Sequence, residues 1–237
     1  MTADPRLIVA LDFDSSDAAR RLVEALGESV SFYKVGLTLL ARDGGALAAE
    51  LKASGKSVFQ DWKLHDIGAQ VEGAARSVAA GAADLLTVHA EPQVMRAAAA
   101  GRGGAATRLL GVTVMTSLSD ADLAEMGYGF TAADLVERRV RQALDCGVDG
   151  VVASPLEAAR VREIALEAGR GDFLIVTPGV RPAGSSADDQ QRTATPAGAI
   201  RAGATHLVVG RPITAAADPG AAARAIAGEM ADALPPA

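Results

Sequence analysis

A strand–helix–strand unit decides the fold of this chain: it reads SVFQDWKL at residues 57–64, QVEGAARSVAA at 70–80 and LLTVHA at 85–90. The outer segments have the length and apolar content of buried strands, whereas the middle segment is rich in alanine and has helical spacing. A helix between two strands carries the chain back to the end of the sheet where the first strand began. The unit therefore predicts two parallel, neighbouring strands joined by a helix.

The same alternation continues along the whole chain. Strand candidates occupy Leu7–Phe13, Phe32–Leu37, Ser57–Leu64, Leu85–Ala90, Leu109–Val114, Gly150–Ala153, Phe173–Thr177 and His206–Gly210. Helical stretches alternate with them at Ser16–Leu26, Gly45–Ser54, Gln70–Ala80, Gln93–Ala100, Thr131–Cys146, Leu156–Ala168, Pro196–Ala202 and Pro219–Ala233. Repeats of this kind within 237 residues favour a closed (β/α)8 barrel, an α/β fold, over an open doubly wound sheet. Because no Pro- or Ser-rich linker divides the sequence, we expect a single domain over residues 1–237.

The composition excludes several classes of protein. Hydrophobic residues make up 49% of the chain and aromatic residues only 3%, which suits an aliphatic core between parallel strands and helices. The net charge of −6 argues against a nucleic-acid surface. The sequence has no secretory signal and no apolar run of the ~18 residues that cross a bilayer, so we expect no membrane contact and a cytoplasmic location. The single cysteine, Cys146, is expected to be a buried structural thiol.

Polar residues end most of the predicted strands, where (β/α)8 barrels carry their active sites. These residues are Asp12, Lys34, Asp61, Lys63, His89, Thr116, Ser117, Ser154, Pro178, Gly179, Arg181, Gly210 and Arg211. We expect several of them to converge on one mouth of the barrel.

The third strand carries the most informative charges. Because side chains alternate along a strand, Asp61 and Lys63 should point to the same face, and Lys34 of the second strand should also point inward. An unpaired charge inside a barrel is unfavourable, so we expect these groups to be coupled. Coupled charges of this kind concentrate at functional sites. The alternative is a structural ion pair, with Asp66 capping the helix that follows.

Two segments that carry glycine and arginine indicate a phosphate site. They read TPGVRP at residues 177–182 and VVGRP at residues 208–212. Glycine lets backbone N–H groups approach an oxyanion, and arginine adds a charge-assisted contact. In such barrels the loops after strands seven and eight frequently bind phosphate. The polar loop from Gly179 to Arg192 suits a lid over that group, and the alternative is a plain connection.

Together these motifs resemble the orotidine 5′-phosphate decarboxylase family over nearly the whole chain. The matching segments are Leu11-Asp12, Tyr33–Gly36, Asp61–Ile67, Val114–Ser117, Thr177–Pro182, Asp189-Gln190 and Gly210–Pro212. The Asp-x-Lys-x-x-Asp element alone is shared with sugar-phosphate enzymes of the same superfamily, whereas the full combination is specific. The resemblance implies a lyase without a cofactor that converts orotidine 5′-monophosphate to uridine 5′-monophosphate, the last step of de novo pyrimidine biosynthesis.

The resemblance also implies roles for individual residues. Lys63 would donate a proton to C6 of the pyrimidine, and Asp61 and Lys34 would complete its charge network. Asp66 would reach into the neighbouring subunit's site in a homodimer. The implied substrate contacts are Asp12 and Lys34 near the ribose, Thr116 and Ser117 at the pyrimidine, and Arg181, Gln190, Gly210 and Arg211 at the phosphate, together with Pro178.

One segment departs from the family pattern, which usually has Pro-Asn-Thr where this chain has Gly68-Ala69-Gln70. In the family that threonine contacts the substrate across the dimer, so this contact is not expected here. The charged residues of the motif are all present, and the implied reaction is therefore unchanged.

Two other functions stay open. A Mg²⁺-dependent decarboxylase or aldolase of a sugar phosphate would share the barrel, but it would need a metal-binding carboxylate on strand two, where this chain has Lys34. A non-catalytic protein that binds phosphoribosyl ligands would share the phosphate segments without needing Asp61 and Lys63. The histidines lack a carboxylate cluster at ligand spacing, so no metal is expected.

Overall fold

The computed structural model describes residues 3–81, 83–182 and 194–233. Within these ranges, strands pair in parallel and in chain order, and the last strand pairs with the first to close a barrel. The strands are β1 (Leu7–Ala10), β2 (Phe32–Val35), β3 (Ser57–Leu64), β4 (Leu85–His89), β5 (Arg108–Val112), β6 (Gly150–Val152), β7 (Leu174–Thr177) and β8 (His206–Val209). The predicted (β/α)8 barrel is confirmed. Most strands end one to three residues earlier than predicted, because the chain turns there into the loops of the mouth.

Helices surround the barrel. They are α1 (Ser16–Leu26), α2 (Leu37–Leu40), α3 (Gly44–Ala53), α4 (Gly68–Ala80), α5 (Pro92–Arg102), α6 (Asp120–Glu125), α7 (Ala132–Asp145), α8 (Ala158–Glu167), α9 (Pro196–Arg201), α10 (Arg211–Thr214) and α11 (Pro219–Asp232). Helices α2, α6 and α10 were not predicted, because four to six residues are too few to show a helical period. Among the described helices, none has the length and apolar character needed to cross a membrane.

The core has an inner and an outer layer. The inner layer consists of strand side chains that point into the barrel. They are Ile8, Ala10, Phe32, Phe59, Leu85, Leu110, Leu174, Val176 and Val208. The outer faces of the strands pack under the helices in two larger apolar clusters. Cys146, at the end of α7, is buried in one of these clusters, and burial raises the pKa of its thiol. The expectation of a buried thiol is confirmed.

Strand β3 departs from regular pairing at its carboxyl end. Gln60 pairs with Leu86, but the next pair is Leu64 with Val88, so residues 61–63 lie opposite Thr87 alone. This irregularity is a β-bulge, which simple alternation along a strand does not predict. Lys63 lies within it and has φ of 47°, and no other non-glycine residue in the described ranges has a positive φ.

The closed end of the barrel contains a titratable group whose burial can be tested. The ring of His206, at the start of β8, packs edge-on against Phe32 with 6.1 Å between ring centroids. Burial lowers the pKa of His206 to about 4, and the nearby Arg108 and Arg6 also lower it. The folded protein therefore holds this imidazole neutral over a pH range in which the unfolded chain takes up a proton.

We predict that this difference makes the protein less stable in acid. Between pH 6.5 and pH 4 the unfolded chain binds a proton at His206 that the folded protein does not, so the free energy of unfolding decreases as the pH falls. At about 1.4 kcal/mol per pKa unit, the loss is up to about 3 kcal/mol. Urea unfolding across this range should show a flatter pH dependence for His206→Asn. His65→Asn, at an exposed histidine, serves as the control, and equal slopes for His206→Asn and the unmodified protein would contradict the prediction.

Candidate active site

A cavity of about 640 Å³ opens at the carboxyl ends of the strands, within the range of about 300–1,000 Å³ that is usual for small-molecule sites. Most of the residues that the sequence indicated line it. They are Asp12, Lys34, Asp61, Lys63, Thr116, Ser117, Pro178, Gly179, Arg181, Gly210 and Arg211. The mouth of the barrel therefore brings together side chains and loops from β1, β2, β3, β5, β7 and β8.

Asp66 and Gln190 are not part of this group. Gln190 lies outside the described residues. Asp66 is exposed, and its Oδ1 accepts a hydrogen bond from the backbone N–H of Ile67 at 2.6 Å. Helix α4 begins after Ile67 without a side-chain cap, so the alternative that Asp66 caps this helix is wrong.

Four charged side chains form a chain of alternating sign along one wall. Lys34 Nζ lies 2.8 Å from Asp12 Oδ1 and 3.4 Å from Asp61 Oδ2. Lys63 Nζ lies 2.8 Å from the other carboxylate oxygen of Asp61. The exposed fraction of the side chain is 9% for Lys34, 13% for Asp61 and 28% for Lys63. The expected coupling of these groups is present, and the more exposed ammonium faces the cavity.

The neighbouring charges keep the two buried groups ionised. Burial tends to lower the pKa of Lys34, but Asp61 and Asp12 outweigh it, and the pKa is raised. Burial tends to raise the pKa of Asp61, but Lys34 and Lys63 outweigh it, and the pKa is lowered. Each charge therefore depends on the other, and removal of either would leave an uncompensated charge inside the barrel.

The floor below these charges is apolar. It consists of Ala10, Phe59, Val112, Val152 and Val208, from the inner layer of the core and its edge. An apolar floor lowers the local dielectric constant and strengthens every electrostatic interaction above it. The sequence reading gave these residues no role, although inward-facing strand positions follow from the same alternation that located Asp61.

Thr87, on β4, is a second residue without a predicted role. Its hydroxyl accepts a hydrogen bond from the backbone N–H of Lys63 at 3.0 Å and donates one to Asp61 Oδ1 at 2.9 Å. Thr87 is fully buried and is absent from the described residues that line the cavity. The sequence gave no sign of a role for this residue, because a threonine within an apolar strand is an ordinary strand residue.

The opposite wall carries the segments after β7 and β8. Gly179 has φ of 76°, a backbone conformation that favours glycine. Arg181 lies two residues further along, and the Nε of Arg181 is buried without a hydrogen-bond partner among the described residues. Val180 forms a β-bridge with Ala194, and this pairing holds together the two ends of the connection between β7 and α9. Most of the loop predicted to act as a lid lies outside the described residues.

A metal site is not supported by the side chains at the mouth. The rings of His65 and His89 stack with 4.6 Å between centroids, and each has a nitrogen about 4 Å from Glu91 Oε2. Within the described ranges, no three His, Cys, Asp or Glu side chains are arranged to hold a metal ion. The carboxylates of Asp12 and Asp61 contact ammonium groups instead.

Comparisons with known proteins agree on one family. Residues 5–226 match the model of the family described as orotidine 5′-phosphate decarboxylase / HUMPS. A protein named orotidine 5′-phosphate decarboxylase from Caulobacter vibrioides is 68% identical over 98% of this chain and 99% of its own. One with the same name from a Methylobacterium species is 56% identical over 98% of both chains. The crystal structure of orotidine 5′-phosphate decarboxylase from Lactobacillus acidophilus superposes with a TM-score of 0.82 at 37% identity, over 96% of this chain and 99% of that one.

We predict that Gly36 is required for the contact between Asp12 and Lys34. A Cβ at this position would lie 2.7 Å from Asp12 Oδ1 and 3.0 Å from Lys34 Nζ. Gly36→Ala should therefore displace the carboxylate in a crystal structure. It should also lower the free energy of unfolding by about 1 kcal/mol, the lower end for overpacking, because Asp12 is partly exposed and can move.

The matched control is Gly45→Ala in α3, where an added Cβ meets nothing within 4 Å. Alanine is the better helix former by about 1 kcal/mol, so this variant should be as stable as the unmodified protein or more stable. The requirement at Gly36 would be disproved by an unchanged separation of Asp12 from Lys34 in Gly36→Ala.

Proposed function

The chain belongs to the orotidine 5′-phosphate decarboxylase / HUMPS family, and we propose that it converts orotidine 5′-monophosphate to uridine 5′-monophosphate in pyrimidine biosynthesis. The observation that carries this proposal is the alternating chain of charges from Asp12 to Lys63 beside the cavity. We assign the proton transfer to Lys63, which lines the cavity and is more exposed than Lys34.

The reaction explains why a fixed ammonium is needed. When CO2 leaves C6 of the pyrimidine, the electron pair of the broken bond stays on C6 in the plane of the ring, where the π system cannot delocalise it. A cation held beside C6 stabilises this charge without reorganisation during the reaction. The ammonium of Lys63 then donates its proton to C6 and is reprotonated from solvent.

Asp61 and Lys34 support this proton transfer through contacts: Asp61 contacts Lys63, and Lys34 contacts Asp61. Asp61 Oδ1 accepts a hydrogen bond from Lys63 Nζ at 2.8 Å, which fixes the position of the ammonium. Lys34 keeps Asp61 ionised and also contacts Asp12, which we assign to the ribose. The three side chains act as one unit, so the loss of any member should impair the others.

The remaining residues at the mouth bind the rest of the substrate. We assign Thr116 and Ser117 to the pyrimidine, and Arg181, Gly210 and Arg211, with Pro178, to the phosphate. The proposal is supported by their places around the cavity and by the frequent use of the loops after β7 and β8 for phosphate binding. Gln190 is assigned to the same phosphate from the sequence. Binding energy from the phosphate, far from the bond that breaks, would help to assemble the charged wall.

Asp66 supports the proposal of a homodimer. It follows Lys63 by three residues, yet it is exposed and is not among the described residues that line the cavity of its own subunit. The adjacent Ile67 has 70% of its surface exposed, which offers an apolar contact for a second copy. We propose that Asp66 enters the neighbouring subunit's site, that each subunit is a single domain over residues 1–237, and that the enzyme works in the cytoplasm.

Two alternatives receive less support from the side chains. A Mg²⁺-dependent sugar-phosphate enzyme would need free carboxylates for the metal. Here Lys34 Nζ lies between Asp12 and Asp61 and contacts both. A non-catalytic binder of phosphoribosyl ligands would have no use for a buried carboxylate that keeps Lys63 beside the cavity. Turnover, measured together with affinity, separates that binder from an enzyme.

We predict that turnover depends on Lys63 and not on a removable metal. The ultraviolet absorbance of orotidine 5′-monophosphate should fall on mixing with the protein in excess EDTA, and Lys63→Ala should lower kcat by at least about 10³-fold, because it removes both the stabilising charge and the proton donor. Asp14→Asn, at an exposed residue near the mouth, is the control. Neither turnover nor binding of orotidine 5′-monophosphate would favour the sugar-phosphate alternative, and tight binding without turnover would favour the binder.

We predict that two inactive variants restore each other if Asp66 acts across the dimer. In a hybrid of Lys63→Ala and Asp66→Asn subunits, one site carries both changes and the other carries neither. Random mixing makes about half of the dimers hybrid, so about a quarter of the unmodified activity should return. In the control, the two variants are refolded separately and then mixed under conditions in which subunits do not exchange. No recovery after verified exchange would place Asp66 outside the partner's site.

A further inference from the structure

We propose that Thr87 is a positioning residue whose single hydroxyl sets the conformation of the Lys63 backbone and the orientation of the Asp61 carboxylate together. The inference rests on the proposed function, because it concerns the lysine to which we assign proton transfer. Thr87 does not line the cavity within the described residues, and we therefore expect it to act only through these two neighbours.

The first observation is the pairing of β3 with β4. Between the pairs Gln60–Leu86 and Leu64–Val88, three residues of β3 face Thr87 alone. A bulge of this kind bends the strand and redirects its side chains, and such bulges are frequent next to active sites. The bulge here contains both Asp61 and Lys63, so its shape decides how the two charges meet.

The second observation is the backbone of Lys63. Its φ of 47° lies in the left-handed region, which a lysine adopts only where its surroundings impose it. The backbone N–H of Lys63 donates to Thr87 Oγ1 at 3.0 Å, and this hydrogen bond is a direct restraint on the strained residue. Thr87 is itself fully buried and paired on the other side with Leu110 of β5, so the restraint is anchored in the barrel wall.

The third observation is the second hydrogen bond of the same hydroxyl. A threonine hydroxyl has one proton to donate and can accept as well. Here it donates to Asp61 Oδ1 at 2.9 Å, the same oxygen that Lys63 Nζ contacts at 2.8 Å. One group therefore fixes the carboxylate and the backbone that carries the ammonium, and the ion pair has little freedom to separate. The branched side chain of threonine restricts its own rotamers, which makes the anchor rigid.

The test compares Thr87→Val, which keeps the shape and removes the hydroxyl, with Thr87→Ser, which keeps the hydroxyl. Thr87→Val should lower kcat by about 10- to 100-fold, because a small displacement of a reacting group has an effect of this size. KM should change less than about threefold, because the proposed phosphate and ring contacts lie elsewhere. Thr87→Ser should recover most of kcat. If Thr87→Val fails to fold, Thr87→Ala gives the same comparison.

Thr107→Val is the matched control, because the hydroxyl of Thr107 is also buried and donates to Ala83 O at 2.7 Å, at the opposite end of the barrel. It should leave kcat unchanged. Equal losses of kcat in Thr87→Val and Thr107→Val would reduce Thr87 to an ordinary core residue and overturn the inference. Unchanged kcat in Thr87→Val would also overturn it.

A pH profile adds a readout that general destabilisation does not move. Burial tends to raise the pKa of Asp61, and the net lowering comes from Lys34, Lys63 and the hydrogen bond of Thr87. Asp12 also faces this group through Lys34. Without the hydroxyl, the acidic limb of the kcat profile should move to higher pH in Thr87→Val and not in Thr87→Ser. An unmoved limb would contradict the inference.

Failure of the proposed function remains distinguishable from failure of this inference. If the unmodified protein does not decarboxylate orotidine 5′-monophosphate, the proposed function fails, and the crystal structure of Thr87→Val then decides the positioning role. A separation of Lys63 Nζ from Asp61 well beyond its present 2.8 Å would support it. An unchanged ion pair and an unchanged φ at Lys63 would overturn it.

Discussion

The mouth of the barrel depends on one carboxylate, Asp61, held between two ammonium groups above an apolar floor. In such surroundings a single charge would be strongly unfavourable, and the contact between Lys34 and Asp61 keeps both of these groups ionised. The arrangement also requires β2 and β3 to lie side by side in a fixed register, with Lys34 opposite Phe59. A slip in the register of β2 against β3 would separate the charges. The electrostatics of the site therefore depend on the same strand pairing that closes the barrel.

The candidate site has one part on paired strands and another part on the connections that follow the strands. The charged wall stands on strands that pair on both sides, and the bulge at Lys63 is tied to the buried Thr87. The segments that we propose to bind the phosphate follow β7 and β8, and Gly179 has a backbone conformation there that favours glycine. Chemistry that depends on the position of a charge benefits from a preorganised support, whereas binding of a phosphate tolerates a segment that adjusts.

Much of this could be predicted from the sequence, and the exceptions have two physical causes. The barrel followed from repeated strand and helix patterns, and the meeting of Asp61 with Lys63 followed from alternation. Alternation did not predict the bulge, because a bulge depends on how β3 pairs with β4 and not on β3 alone. Thr87 was missed for the same reason, since its importance comes from the two residues it contacts. Short helices such as α10 were missed because four residues carry no period.

The position of Asp66 follows from the length of β3. The strand ends at Leu64, and α4 begins at Gly68, so the chain turns outward over the rim within three residues. At about 3.3 Å per residue, a side chain three positions beyond Lys63 can be carried some 10 Å from it. Asp66 is exposed and is not among the described residues that line its own cavity, which fits the proposed contact with a second copy. In the proposed dimer, the partner's Asp66 would add a negative charge near Lys63, and the set of charges around this lysine would be complete only after assembly.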